Sequence, residues 1–444
     1  MPKTLTQFVC QSCGAASMKW AGRCTACGSW NSLVEVAATS SRSKSTRPIE
    51  AEQLSSVSSD HVKRFSSGIA ELDQVLGGGV VPGAIMLLSG DPGVGKSTLV
   101  LQLASHIGAQ GSVLYVSGEE SVQQLKLRAD RLGISQANIV AASQTDADSV
   151  AATIREGGYK LAIIDSIQTM STGELTGSPG TVGQITASSQ IIGNAAKSSH
   201  TAVVIIGHVT KEGNIAGPKI LEHLVDVVLY LEGERYGIFK ALRGVKNRFG
   251  STNEVGIFEM QPKGLIAVKN PSQALLAERR MGPGSVVLPT MEGSRPLLVE
   301  VQALVAPTVF GYPKRTAVGF DLNRLNLLLA VMNKRAGLNL NSQDVYVNVV
   351  GGLKASEPAA DLAIILSIAS AYKNQALPDD VVVFGEVGLS GEVRSVGSVD
   401  RRLQEAKSIG FKRALGPAAH PKTTIDLAAS DIAEALRLAF KPTK

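Results

Sequence analysis

Short uninterrupted apolar runs alternate with segments whose apolar residues recur every three or four positions, and the alternation holds from residue 84 to residue 207. The runs at 84–89, 113–117, 139–142, 161–165 and 202–207 are too short for helices and predict buried strands. Between them, residues 121–132, 146–156 and 185–197 carry the helical period, as do Leu99, Val100, Leu103 and Ile107. Such strand–helix–strand repetition predicts a parallel sheet covered by helices on both faces. A short capped helix running into the glycine turn of residues 77–79 is expected to lead into the first strand. Residues 225–268 break the rhythm with several short β runs and no long helix, which predicts an antiparallel extension along one sheet edge. After Pro271 a second α/β unit is expected, with strands at 297–304, 345–349 and 381–384, helices at 321–334, 359–372 and 399–409, and a weak C-terminal helix.

A chain of 444 residues is too long for one core. We expect four regions: a cysteine knuckle at 1–36, a linker at 37–60, an α/β domain at 61–270 and a second α/β domain at 271–444. The linker is rich in Ser and Thr, with Arg42, Lys44 and Arg47 interspersed and no apolar period. A formal charge of +6 is compatible with a polyanionic partner without demanding one. Aromatic residues make up only 4 %, so nucleic-acid contact is expected to rely on backbone N–H groups and cations rather than on stacking. The N-terminus is polar and no apolar stretch is long enough to cross a bilayer, so the expectation is a cytoplasmic protein without a membrane partner.

All four cysteines fall in one short stretch, as Cys10-x2-Cys13 and Cys24-x2-Cys27. Two such knuckles bring four thiolates onto one Zn²⁺, and a full set of four sulfurs makes a structural rather than a catalytic site. A disulfide framework would imply export, for which the N-terminus offers no leader. Trp20 and Trp30, the two tryptophans of the chain, are expected to cover the metal.

The segment Gly90-Asp91-Pro92-Gly93-Val94-Gly95-Lys96-Ser97-Thr98 lies between the first strand and an amphipathic helix, the context that its G-x-x-x-x-G-K-[ST] pattern requires. Its glycines let backbone N–H groups form a nest for phosphate oxygens, and the helix N-terminus adds its dipole. Lys96 is expected to reach the β/γ-phosphates of ATP, and Ser97 to ligate Mg²⁺. Asp165, ending the apolar run 161–165, is the candidate for holding the magnesium hydration shell. Glu119 follows the strand at 113–117; with that strand beside the phosphate-loop strand, it would orient or deprotonate the attacking water. The alternative is that Glu119 and Glu120 both complement the dipole of the next helix; we expect catalysis from Glu119 and the helix-start role from Glu120.

Taken together, the Gly68-Ile69-x-Glu71-Leu72-Asp73 lead-in, the phosphate loop, Glu119 and the Asp165 strand resemble a RecA-type ATPase. With the cysteine knuckle and Lys246-Asn247-Arg248-Phe249-Gly250, the chain resembles, over nearly its whole length, the bacterial RadA (Sms) family of recombination and repair proteins. The implied architecture is a RecA-like P-loop ATPase core with an N-terminal zinc knuckle and a C-terminal Lon-protease-like α/β domain. The resemblance gives His208 a γ-phosphate-sensing role. It makes the loops at 170–183 and 209–219, with Lys211 and Lys219, DNA-facing. It also implies that Lys246 and Arg248 reach the nucleotide of a neighbouring subunit; a solvated basic turn or a DNA-phosphate contact are the alternatives.

In the Lon-like part, the expected nucleophile position holds Ala359 and the expected lysine position falls near Asp400, so a noncatalytic scaffold is implied rather than a protease. Lys314, Arg315, Arg394, Arg401 and Arg402 are candidates for lining a channel. The implied function is a DNA-dependent ATPase and DNA motor in recombinational repair, promoting branch migration with the RecA recombinase on single-stranded and branched DNA as a hexameric ring. The other reading is a nucleotide-switched, KaiC-like regulator that acts on proteins.

Overall fold

The computed structural model describes residues 6–11, 15–37, 53, 63–134, 137–207, 217–233, 239–309, 311–418 and 425–440. Cys13, His208, Lys211 and nearly all of the linker lie outside these residues, and so does the side chain of Lys219.

At the N-terminus, β1 (Thr6–Cys10) lies between β2 (Ala16–Ser17) and β3 (Leu33–Ala37) in an antiparallel ribbon. Its small core is Cys10, Cys24 and Leu33. Trp20 and Trp30 do not cover it: they are 61 % and 72 % exposed. The Arg23 guanidinium lies over the Trp30 ring, 5.6 Å from its centre, so this indole packs on a cation at the surface.

Residues 63–231 form the α/β core of the first compact unit, which also takes in residues 244–251 and 262–264. The helix α1 (Ala70–Leu76) ends in a left-handed Gly77. Then follow β4 (Ile85–Gly90), α2 (Lys96–Gly108), β5 (Val113–Ser117), α3 (Val122–Arg131), β6 (Ile139–Ser143), α4 (Ala147–Glu156), β7 (Leu161–Asp165), α5 (Val182–Ser199), β8 (Ala202–Ile206), α6 (Gly217–Leu224) and β9 (Val227–Glu232). Ser121 and Gln124 form a reciprocal capping box that starts α3, and Asp146 caps α4. The strand order is β9-β4-β8-β7-β5-β6, with all neighbours parallel. Two expectations change. β9 is a parallel partner of β4, so it belongs to the sheet rather than to an antiparallel extension. And β5 is not beside the phosphate-loop strand, because β8 and β7 stand between them.

The antiparallel pair that the sequence predicts is β10 (Phe239–Asn247) with β11 (Val255–Gln261), joined by β12 (Gly264–Ala267). Residues 232–243 and 252–261 group with the C-terminal unit. That unit continues through α7 (Pro271–Leu276), β13 (Ser285–Glu292), β14 (Arg295–Pro307), β15 (Arg315–Val318), α8 (Leu322–Arg335), β16 (Gln343–Val349), α9 (Asp361–Lys373), β17 (Val381–Val383), β18 (Glu386–Val387), β19 (Val393–Arg394), α10 (Val399–Ile409), β20 (Arg413–Pro417), β21 (Leu427–Ala429) and α11 (Ile432–Ala439). A mixed sheet in the order β15-β16-β14-β13-β17-β20-β21 packs against the almost wholly buried α9.

Several charges are buried in this unit. Asp361, fully buried, accepts from Arg324 and from the Val387 N–H. Glu292 is buried beside Arg243; burial pushes its carboxyl above the ordinary carboxylate value, and Arg243 opposes the rise. Arg402 is 1 % exposed and therefore lines no channel. It donates to both carboxylate oxygens of Glu357, at 2.7 and 2.6 Å, and to the carbonyls of Pro289 and Gly397.

Removing Glu357 leaves that guanidinium without its counter-charge. Glu357→Ala is expected to lower the unfolding free energy of this unit by about 3–5 kcal/mol, measured by denaturant titration of the full chain. Arg394→Ala, in an exposed pair, is expected to leave the midpoint unchanged.

Candidate active site

In a parallel sheet all strands point the same way, so the loops leaving their C-terminal ends share one edge. β4, β5 and β7 deliver Gly90, Ser117 and Asp165 to that edge. The loop after β4 has left-handed or unusual backbone at Gly90 (φ 144°), Gly93 (φ 78°) and Gly95 (φ 115°). A Cβ on Gly90 would stand 2.1 Å from the Leu231 carbonyl, so only glycine fits the turn out of the strand. Gly95 precedes α2 with no side-chain cap, which leaves the first N–H groups of the helix without a side-chain acceptor. A glycine cradle beside such a helix start fits a phosphate chain.

Lys96 is buried and folds back over the loop, with Nζ donating to the carbonyls of Gly90 (2.7 Å) and Asp91 (3.0 Å). Burial pushes its ammonium below the ordinary lysine value, while the carboxylates of Asp165, Asp91 and Glu119 pull the other way. Asp165 and Glu119 therefore share the field of Lys96 although their strands are not neighbours of β4. Asp165 is buried, and its Oδ2 accepts a 2.7 Å hydrogen bond from the Tyr115 hydroxyl. Burial, with Asp165 alongside, pushes the Tyr115 phenol well above its usual value. The neighbouring Ser166 hydroxyl donates to the Glu119 carboxylate at 2.6 Å. Glu119 comes this close because Gly118 precedes it: a Cβ there would lie 1.9 Å from Thr169 Oγ1. Glu120 pairs instead with Arg128 on α3, and Ser121 caps that helix. The carboxylate of Asp165 and the hydroxyl of Ser97 are hard oxygen donors of the kind magnesium takes.

On the described part of the cysteine knuckle, the sulfurs of Cys10, Cys24 and Cys27 lie within 4.8 Å of one another. Three converging thiols around one point fit zinc.

The loop at 170–183 is fastened at its base. Gln184 on α5, buried, accepts from the Thr172 N–H (2.8 Å), and its amide donates to the carbonyls of Leu175 (2.9 Å), Gly177 and Thr172. Lys246 donates to the Glu222 and Val225 carbonyls, at 2.6 and 2.8 Å, where α6 ends. Arg248, half exposed, pairs with Asp226 at 3.2 Å, whose other oxygen accepts from the Ile85 N–H (3.1 Å) at the start of β4. Arg64 joins the Leu76 and Gly77 carbonyls to that of Phe249, and Asn247 also donates to Leu76. The basic pentapeptide thus sits at the N-terminal edge of the sheet, the edge opposite the phosphate loop.

Sequence reasoning passed over Tyr115 and Gln184. The signal for Tyr115 was available: a tyrosine in a buried aliphatic strand needs a partner for its hydroxyl. Gln184, a polar residue on the buried face of α5, carried a similar mark.

Three family models match the chain: a rubredoxin metal binding domain over residues 8–35, an AAA domain over 50–214 and subunit ChlI of Mg-chelatase over 303–420. DNA repair protein RadA of Bacillus subtilis is 47 % identical over 98 % of this chain and 99 % of its own length. That of Halalkalibacterium halodurans is 50 % identical over 94 % of this chain and 93 % of its own. Among solved structures, a KaiC-like protein of Pyrococcus horikoshii aligns with 47 % of this chain and 99 % of its own, at 20 % identity and a TM-score of 0.40. Near-half identity sustained from the cysteine knuckle through the last domain leaves one conclusion: the chain belongs to the family of DNA repair protein RadA.

Proposed function

We propose that the protein is a DNA-dependent ATPase that works as a DNA motor in recombinational repair, promoting branch migration on single-stranded and branched DNA together with the RecA recombinase. The names of its relatives and the AAA match support DNA repair and ATP hydrolysis. The observation that carries the motor reading is the position of Lys246 and Arg248. Arg248 is tied through Asp226 to Ile85, while Gly90 ends the same strand, about 16 Å away at ~3.3 Å per residue. From that edge these cations do not serve their own phosphate loop. We take a nucleotide bound by an adjacent protomer as their target, in preference to a DNA phosphate or a solvated turn; this implies a head-to-tail assembly, and we assign a hexameric ring.

In this reading the Gly90–Gly95 nest and Lys96 hold the phosphates, with Ser97 and Asp165 as the magnesium residues. Magnesium, when bound, neutralises charge on the β/γ-phosphate oxygens. Glu119, held by Ser166, orients water and takes its proton at the carboxylate. Lys246 and Arg248 exchange their internal partners for the neighbour's γ-phosphate, so turnover depends on assembly. The loop at 170–183, fastened by Gln184, presents backbone N–H groups to DNA, and Lys211 and Lys219 add charge. His208 senses the γ-phosphate. The C-terminal domain, with Ala359 and Asp400 where a nucleophile and base would stand, is a scaffold rather than a protease.

Lys246→Ala and Arg248→Ala are expected to reduce ATPase stimulated by single-stranded DNA at least tenfold, with binding of a fluorescent ATP analogue retained. Equal turnover with and without DNA in the unaltered protein would refute the motor reading in favour of a nucleotide-switched regulator. Metal analysis is expected to give one zinc per chain. Cys24→Ser should lose that zinc and unfold the ribbon while nucleotide binding persists, as checked by zinc content and limited proteolysis.

A further inference from the structure

Tyr115 is fully buried in the middle of β5, and its hydroxyl is the point where the sheet interior meets the nucleotide edge. The register pairs Ser117 with Asp165 and Tyr115 with Ile163, so Tyr115 and Asp165 lie two residues apart along adjoining strands. Side chains at such positions share a face of the sheet. The ring spans that step, and the hydroxyl donates to Oδ2 of Asp165 at 2.7 Å. Among the described residues no other group donates to this carboxylate, so one hydrogen bond sets its rotation. Among the described residues no hydrogen bond is made to the other oxygen, Oδ1.

Resting on the reading of Asp165 as a magnesium residue, we propose that Tyr115 is a positioning residue for the metal: its hydroxyl holds one oxygen of Asp165 so that the other is presented to the magnesium hydration shell. A buried phenol is suited to this task. Its hydroxyl faces a carboxylate oxygen across 2.7 Å and serves there as the donor, while the buried ring is held in place by the strand. Phenylalanine in its place would fill the same space and leave Asp165 free to turn.

The test is a magnesium titration of fluorescent ATP-analogue binding to the full chain, for the unaltered protein, Tyr115→Phe and Asp165→Asn. Tyr115→Phe is expected to raise the magnesium concentration for half-maximal tightening about tenfold, the effect of losing one hydrogen bond to a charged group. Binding in the presence of a chelator should be unchanged, and turnover at saturating magnesium should fall far less than the magnesium requirement rises. An unchanged requirement in Tyr115→Phe would overturn the proposal, as would an equal loss of metal-free binding, which marks a purely structural role. If Asp165→Asn also leaves the magnesium requirement unchanged, the reading of Asp165 itself fails. A shift in Asp165→Asn alone sinks only the role of Tyr115.

Discussion

Parallel register is the constraint on which the active edge depends. Ser117 stands opposite Asp165, Ile164 opposite Ile205 and Leu88 opposite Ile206, so β5, β7 and β8 finish at one level and β4 runs two residues further, to Gly90. Slipping β5 against β7 by one residue would turn Tyr115 away from Asp165 and send Glu119 to a different height. The aliphatic interiors of β5, β7 and β8 oppose such a slip, because both faces of each strand are buried. Packing far from any phosphate therefore determines which carboxylates feel Lys96.

The second unit meets a different demand. Its interior contains complete ion pairs, Arg402 with Glu357 and Arg324 with Asp361, each braced by backbone groups. Burying such pairs is costly in desolvation, and they contribute less to stability than to geometry. Arg402 joins α10 to the Pro289 carbonyl of β13, and Arg324 joins α8 to the start of α9 and to Val387. These pairs fix the positions of α8, α9 and α10 within the unit.

Much of the first unit was legible in the sequence because its strands are unbroken aliphatic runs with sharp ends. The run 161–165 and the helix 399–409 have the bounds that the sequence indicates. Strand order was not legible: nothing in the spacing of β4 and β5 reveals that two later strands enter between them. β13 went unseen because Pro289 and Thr290 interrupt its apolar run. Arg402 sits in a charged stretch that reads as a solvated face, yet Val399, Arg402 and Ala406 recur at helical spacing and are all buried. Pairs such as Tyr115 with Asp165 join positions fifty residues apart, a relation that no local pattern encodes.

Arg64 has a mechanical consequence. Its guanidinium binds the end of α1 to Phe249, and Phe65 pairs with Val80 on the far side of three successive left-handed glycines. A Cβ on Gly79 would stand 2.6 Å from the Phe65 carbonyl, so this turn has little room to deform. The polypeptide entering the first core strand and the basic pentapeptide are thereby tied to each other through Arg64. Displacing Arg248 would be felt through Asp226 at Ile85, the foot of the strand that ends at the phosphate loop.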